Sequence, residues 1–184
     1  MKNNQFLKSV LFLIPLLLFI ALPVLSQSTS EEAKKLQRPK DSGVKDYDEF
    51  KNSSFNLLQE LIKTDNNYSQ IKTDLNGYDD GSREISVTNV KTDYTRLKKL
   101  KKSTDVMDDR VKSLSSEGEE LLKNASNVKP VTKVKAVTSN TKKSVQAVDY
   151  SKSMMGEITT QVSTDMENLS VKLAELGEEV EEEE

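Results

Sequence analysis

The residues of this chain best suited to chemistry are charged ones. Arg96, Lys98, Lys99, Lys101 and Lys102 crowd into the run RLKKLKK. So dense a cluster of cations suits an anionic partner, whether an acidic protein, a lipid headgroup or a polysaccharide. The same run is also what an ordinary solvated helix face looks like, with Lys stems covering apolar surface. At the other extreme stands an acidic tail, Glu178, Glu179, Glu181, Glu182, Glu183 and Glu184. Its like charges repel and favour a frayed, solvated end that can pair with a basic stripe or hold divalent cations weakly.

A third stretch, Asn76-Gly77-Tyr78-Asp79-Asp80-Gly81, has the look of a calcium loop. With Gly81 at the sixth loop position, however, Tyr78 stands where an oxygen ligand is needed and Val87 where a Glu is needed. A plain turn fits these residues better.

Missing residue types narrow the chemistry further. The chain has no His, Cys or Trp. Without His it lacks the usual near-neutral acid–base group and the commonest metal ligand. Without Cys it has no disulfide staples, so stability must come from packing. No catalytic, cofactor-binding or metal site is expected. The stripe has no interleaved aromatics, so nucleic acid is not an expected partner. Asn52, Asn67, Asn124 and Asn168 open N-x-Ser/Thr sequons of the kind that arise by chance in an Asn- and Ser-rich chain.

The first element is a targeting segment. Lys2 and Lys8 precede the apolar run Val10–Val24, and Val24-Leu25-Ser26 offers a cleavage site. Residues 1–26 therefore read as a signal peptide, with Gln27 as the mature start. Pro15, Pro23 and the polar switch at Ser26 argue against an uncleaved anchor. The expected product is an exported protein, periplasmic or secreted to the cell surface, of bacterial type, with no stable membrane anchor after cleavage.

Residues 27–43 are polar, punctuated by Pro39 and Gly43, and read as a linker; Thr29 and Glu32 could cap a short helical turn within it. The helical signal fills 44–180. In the first run, steps of three and four meet Tyr47, Phe50, Ser54, Leu57, Leu61, Thr64, Tyr68, Ile71, Leu75 and Tyr78. Eight of these ten are apolar, the seam of a packed helix. Phe55, Leu58 and Ile62 widen that face enough for two neighbours. Asn76-Gly77 and Asp80-Gly81 should end the helix.

A second seam runs from Val87 through Val90, Leu97, Leu100, Met107, Val111 and Leu114 to Val128, weakened at Gly118 and broken at Pro130. The third runs from Val134 through Val148, Lys152, Met155, Ile158, Val162, Met166, Leu169 and Leu173 to Leu176 and Val180. Helices of about 33, 43 and 50 residues would be roughly 50, 65 and 75 Å long at 1.5 Å per residue. The expected fold is all-α: an elongated antiparallel three-helix bundle or coiled coil over 44–180, with 181–184 as its acidic tail and the third helix overhanging the first.

Such a chain suits a non-enzymatic structural or scaffolding protein that associates through its helices, with itself or with a filament, coat or envelope protein. Two alternatives fit the same residues. One is an adhesin-like binding protein that sets its basic stripe on an anionic envelope or matrix ligand. The other is a periplasmic holdase chaperone.

Overall fold

The computed structural model describes residues 29–178 and is all-helical, with no strand among them. The long helices are α1 (Lys45–Asp80), α2 (Val87–Asn124) and α3 (Val134–Glu175). Residues 29–35 are also helical, and single 3-10 turns occupy Ala125–Asn127 and Val131–Lys133. The expected signal peptide, residues 1–26, and the end of the tail, Glu179 to Glu184, lie outside the described residues.

Contacts between side chains fix the direction of each helix. Tyr47 and Tyr78, near the two ends of α1, bond to Leu121 and Asp93 of α2, so these helices run antiparallel. Lys72 and Lys172 pair with Asp165 and Asp79, so α1 and α3 run parallel. Lys91, near the start of α2, pairs with Glu178 just beyond α3.

All ten seam positions of α1 are buried, including the polar Ser54 and Thr64. Both hydroxyls donate to the carbonyl one turn back, Phe50 at 2.8 Å and Glu60 at 3.0 Å, which satisfies them inside the core. One apolar cluster joins Phe50, Leu61 and Tyr78 of α1 to Val90, Leu97 and Leu114 of α2 and Val148, Val162 and Leu173 of α3. Tyr47, Ala125 and Val137 close the end near the α2–α3 connection.

The third seam departs from expectation at Lys152 and at its end, where Leu176 is exposed. Lys152 is exposed, and its neighbour Ser151 is fully buried and donates to the Ala147 carbonyl at 2.7 Å. A hydroxyl with a backbone acceptor costs less to bury than an ammonium group.

Local chemistry accounts for the helix ends. The α1 helix passes through Asn76-Gly77 and stops at Asp80, because Gly81 adopts φ +77°, a left-handed conformation that favours glycine. Ser86 caps α2, accepting from the Asn89 amide at 3.3 Å. At the end of α3, Gly177 adopts φ +79°, its amide bonds Ala174 at 3.0 Å and the Glu178 amide bonds Leu173 at 3.0 Å. This paired pattern turns the chain out of the helix before Val180, earlier than the seam suggests. With lengths of 36, 38 and 42 residues, the helices are close to equal. The ion pairs Lys172–Asp79 and Lys91–Glu178 hold the end of α3 level with its neighbours, so the expected overhang is absent among the described residues.

The segment expected as a polar linker is packed over its described part, residues 29–43. It runs antiparallel to α1 and α3 along the groove between them. Ser30 donates to Asp65 at 2.7 Å, Arg38 to Asn56 at 2.6 Å, and Asn140 to the Lys40 carbonyl at 2.7 Å. Ala33 is buried against Phe55, Leu58, Ala147 and Met154, with Leu36 packed at the edge. With α2 and α3 already packed on α1, this segment is its third neighbour, one more than the widened face suggested.

Candidate functional site

Rotation of α2 by about 100° per residue sorts the RLKKLKK run. Leu97 and Leu100 enter the core, while Lys99, Lys101 and Lys102 are exposed and Lys98 is half-buried with a contact of its own. Arg96 separates from the other four. Its guanidinium pairs with Asp74 of α1 and, at 2.9 Å, with Asp93 one turn back on α2. The expected five-residue stripe is thus four lysines and one arginine held by carboxylates at the α1–α2 contact.

The helix geometry also adds a lysine to this face. Lys91, Lys98 and Lys102 stand at i, i+7 and i+11, within about 20° of one line along the helix. Lys99 and Lys101 flank the line on either side. Glu178, the one tail residue described, accepts from Lys91 at 2.6 Å and so stands at the head of this line.

Arg96 belongs to a knot at the α1–α2 turn. Asp93 is fully buried, and it accepts from Tyr78 at 2.7 Å and from Arg83 at 2.9 Å as well as from Arg96. Burial, and then the hydrogen bond to Asp93, raises the Tyr78 phenol above its ordinary pKa. Asp74 is held below the usual carboxylate range, chiefly by its hydrogen bond from Arg96. The calcium-like stretch is used up here: Tyr78 points into the core, Asp79 pairs with Lys172, and Asp80 accepts from the Ser82 amide at 2.8 Å. Among the described residues no three acidic groups converge as metal ligands, and no helix is long and apolar enough to cross a membrane.

Two charged features have no counterpart in the sequence reading. Asp165 is buried beside α1, where it accepts from Tyr68 and from Lys72, both at 2.7 Å. Lys51 is buried to 2% exposure and pairs with Asp41 of the N-terminal segment. Both lie where two elements meet, so the periodicity of one helix carries no sign of them. The widened face at Phe55, Leu58 and Ile62 suggested two neighbours, and Phe55 and Leu58 prove to be covered by the docked segment.

Between α1 and α2 lies an open groove of about 300 Å³, lined by Ser53, Asn56, Glu60, Arg110, Ser113 and Leu114. The Glu60–Arg110 ion pair spans it. Like the lysine line, the groove is shallow, polar and open, a geometry suited to surface contact. Comparison with family models, curated proteins and solved structures finds no match to this chain.

Proposed function

We propose that this chain is an exported, non-enzymatic structural protein: an elongated antiparallel three-helix bundle, freed from a signal peptide at residues 1–26, that serves as a scaffold for a neighbouring envelope protein. The observation that carries this reading is the core, which runs from Tyr47 and Val137 at one end to Tyr78 and Leu173 at the other. Such a core makes the molecule a stiff spacer with most of its charged side chains outward.

The aliphatic seams are spent within the chain, so association works through the polar surface, chiefly Lys99, Lys101 and Lys102. The exposed large apolar residues among those described are Ile85, Val106, Val131, Val171 and Leu176, distributed over both connections, α2 and the end of α3. That distribution favours a scaffold over a holdase, which needs continuous apolar arms. The exposed lysines favour one second reading, an adhesin-like protein that binds an anionic matrix.

Lysine-directed cross-linking in intact cells, followed by mass spectrometry, tests the scaffold. The expected result is a reproducible link from Lys99, Lys101 or Lys102 to one exported protein, lost when all three are replaced by Glu. Links confined to the chain itself, or a chain recovered from the cytosol with Met1 intact, would overturn it.

A further inference from the structure

The outer face of α2 carries its charges in order. At about 100° per residue, Thr95, Lys99, Lys102, Val106, Asp109 and Ser113 stand within about 40° of one line along the helix. All six are exposed, and the line runs on to the exposed Glu117 and Glu120. Val106, with 64% of its surface in solvent, divides it: cations lie before, carboxylates after. Among the described residues Lys99, Lys102, Asp109 and Glu117 have no salt-bridge partner, whereas Arg110 and Lys112 beside them are taken by Glu60 and Asp108.

We propose that α2 pairs antiparallel with α2 of a second copy across this face, about a twofold axis at Val106.

A twofold contact brings the same patch of both copies together, so the patch must complement itself. This one does. Lys102 stands four residues before Val106 and Asp109 three after it, about 6 and 4.5 Å along the helix. With one copy reversed, Lys102 therefore meets Asp109 of the second copy with an axial offset of only about 1.5 Å, and the axis makes that pair twice. Lys99 falls between Asp109 and Glu117 of the second copy, about 6 Å along the axis from each and within the sweep of its flexible stem. At the centre the two Val106 side chains meet and leave water. A parallel pairing would instead set lysine on lysine and carboxylate on carboxylate.

Exposed ion pairs are individually weak, and one helix face is a small interface. The dimer is accordingly weak, driven by concentration and screened by salt. Lys101 lies about 100° round the helix from Lys102, clear of the pairing and open to another partner. The contact depends neither on export nor on a scaffold partner, and purified protein alone tests it.

Sedimentation equilibrium of the full chain as purified from its cells should show the mass rising toward twice the monomer's with concentration at low salt, and falling back in high salt. Charge reversal isolates the face. Lys99→Glu/Lys102→Glu makes it wholly acidic and Asp109→Lys/Glu117→Lys wholly basic; each variant should remain helical and monomeric alone, and an equimolar mixture of the two should pair. Spin labels then read the orientation. The chain has no cysteine, so single introduced thiols label cleanly. Labels on Ser103→Cys, three residues from the axis, should lie below about 20 Å apart across the dimer, and labels on Thr95→Cys, eleven residues away, about 35 Å apart. Short distances at both positions would mean parallel helices and overturn the proposal. So would a chain that stays monomeric at high concentration in low salt, or two reversed variants that ignore each other when mixed.

Discussion

The groove between α1 and α3 is closed in two different ways along its length. In the half nearer the α2–α3 connection the facing side chains are apolar, and the main chain of residues 29–43 lies over them. Ala33 is almost fully buried there, and the Arg38 guanidinium stands 5.7 Å above the Phe55 ring. In the far half, among the described residues, the two helices meet directly, with Asp165 bridging Tyr68 and Lys72. An apolar face gains by acquiring another layer, whereas a satisfied polar cluster needs none. Along the groove α1 itself changes in the same sense, from Phe55, Leu58 and Ile62 to Asp65, Ser69 and Lys72.

Substitutions can break this contrast. The largest effect is expected in the polar half. Asp165→Ala leaves the buried Tyr68 hydroxyl without its acceptor and should lower stability by about 3 kcal/mol in urea denaturation. Adding Tyr68→Phe should recover part of that loss, because the orphaned hydroxyl is gone; a double variant as unstable as the sum of its parts would show that the bridge is not a coupled unit.

Ala33→Asp places a charge under the packed segment and should cost about 2 kcal/mol or less, since the segment can lift away instead of burying it. Hydrogen exchange should then accelerate over 29–43 while α1 to α3 stay protected. If the whole domain loses protection together, the segment is not a separate layer.

Gly118→Ala sharpens the contrast from the opposite side of the core. Alanine should gain up to about 1 kcal/mol of helix propensity. A β-carbon here, however, would sit 2.8 Å from the Phe50 ring and 2.9 Å from a Val145 methyl. Crowding of this kind outweighs propensity, and a net loss of about 1 kcal/mol is expected, read as a lower melting temperature. An unchanged or raised melting temperature would mean that Phe50 repacks freely.

The smallest expected effect is acid release of the packed segment at its joint with α1. The Asp48 carboxylate accepts from the Ser42 amide and hydroxyl and the Gly43 amide at 2.7, 2.9 and 2.9 Å. Burial pushes its pKa up, but these hydrogen bonds prevail and hold it below the ordinary value. A lowered folded pKa contributes stability that is present above about pH 4 and lost as pH falls through the folded value. Asp48→Asn should therefore flatten part of the acid limb of stability against pH. An identical limb in the variant would exclude Asp48 as a source.

How much of this could be read beforehand depends on the range of the interaction. The α1 seam was fully legible because one helix face records its own burial every three or four residues. Gly118 was legible only as a weakness. Its use, admitting Phe50 and Val145, requires knowing which residues arrive from two other helices. Arg96 and Lys98 are neighbours of similar type in one run, and the run alone does not say which cation Asp74 and Asp93 hold. The Asp74 and Asp93 carboxylates that claim Arg96 make the distinction.

The sequence by itself determined the helical character, the three seams and the turn residues, because periodicity, propensity and glycine chemistry act within a few residues. Tertiary structure alone decided that residues 29–43 form a layer, that Arg96 leaves the basic stripe, and that Glu178 stands at the head of the lysine line. Each of these outcomes depends on which surfaces meet, and the partners involved stand as far as 128 residues apart along the chain.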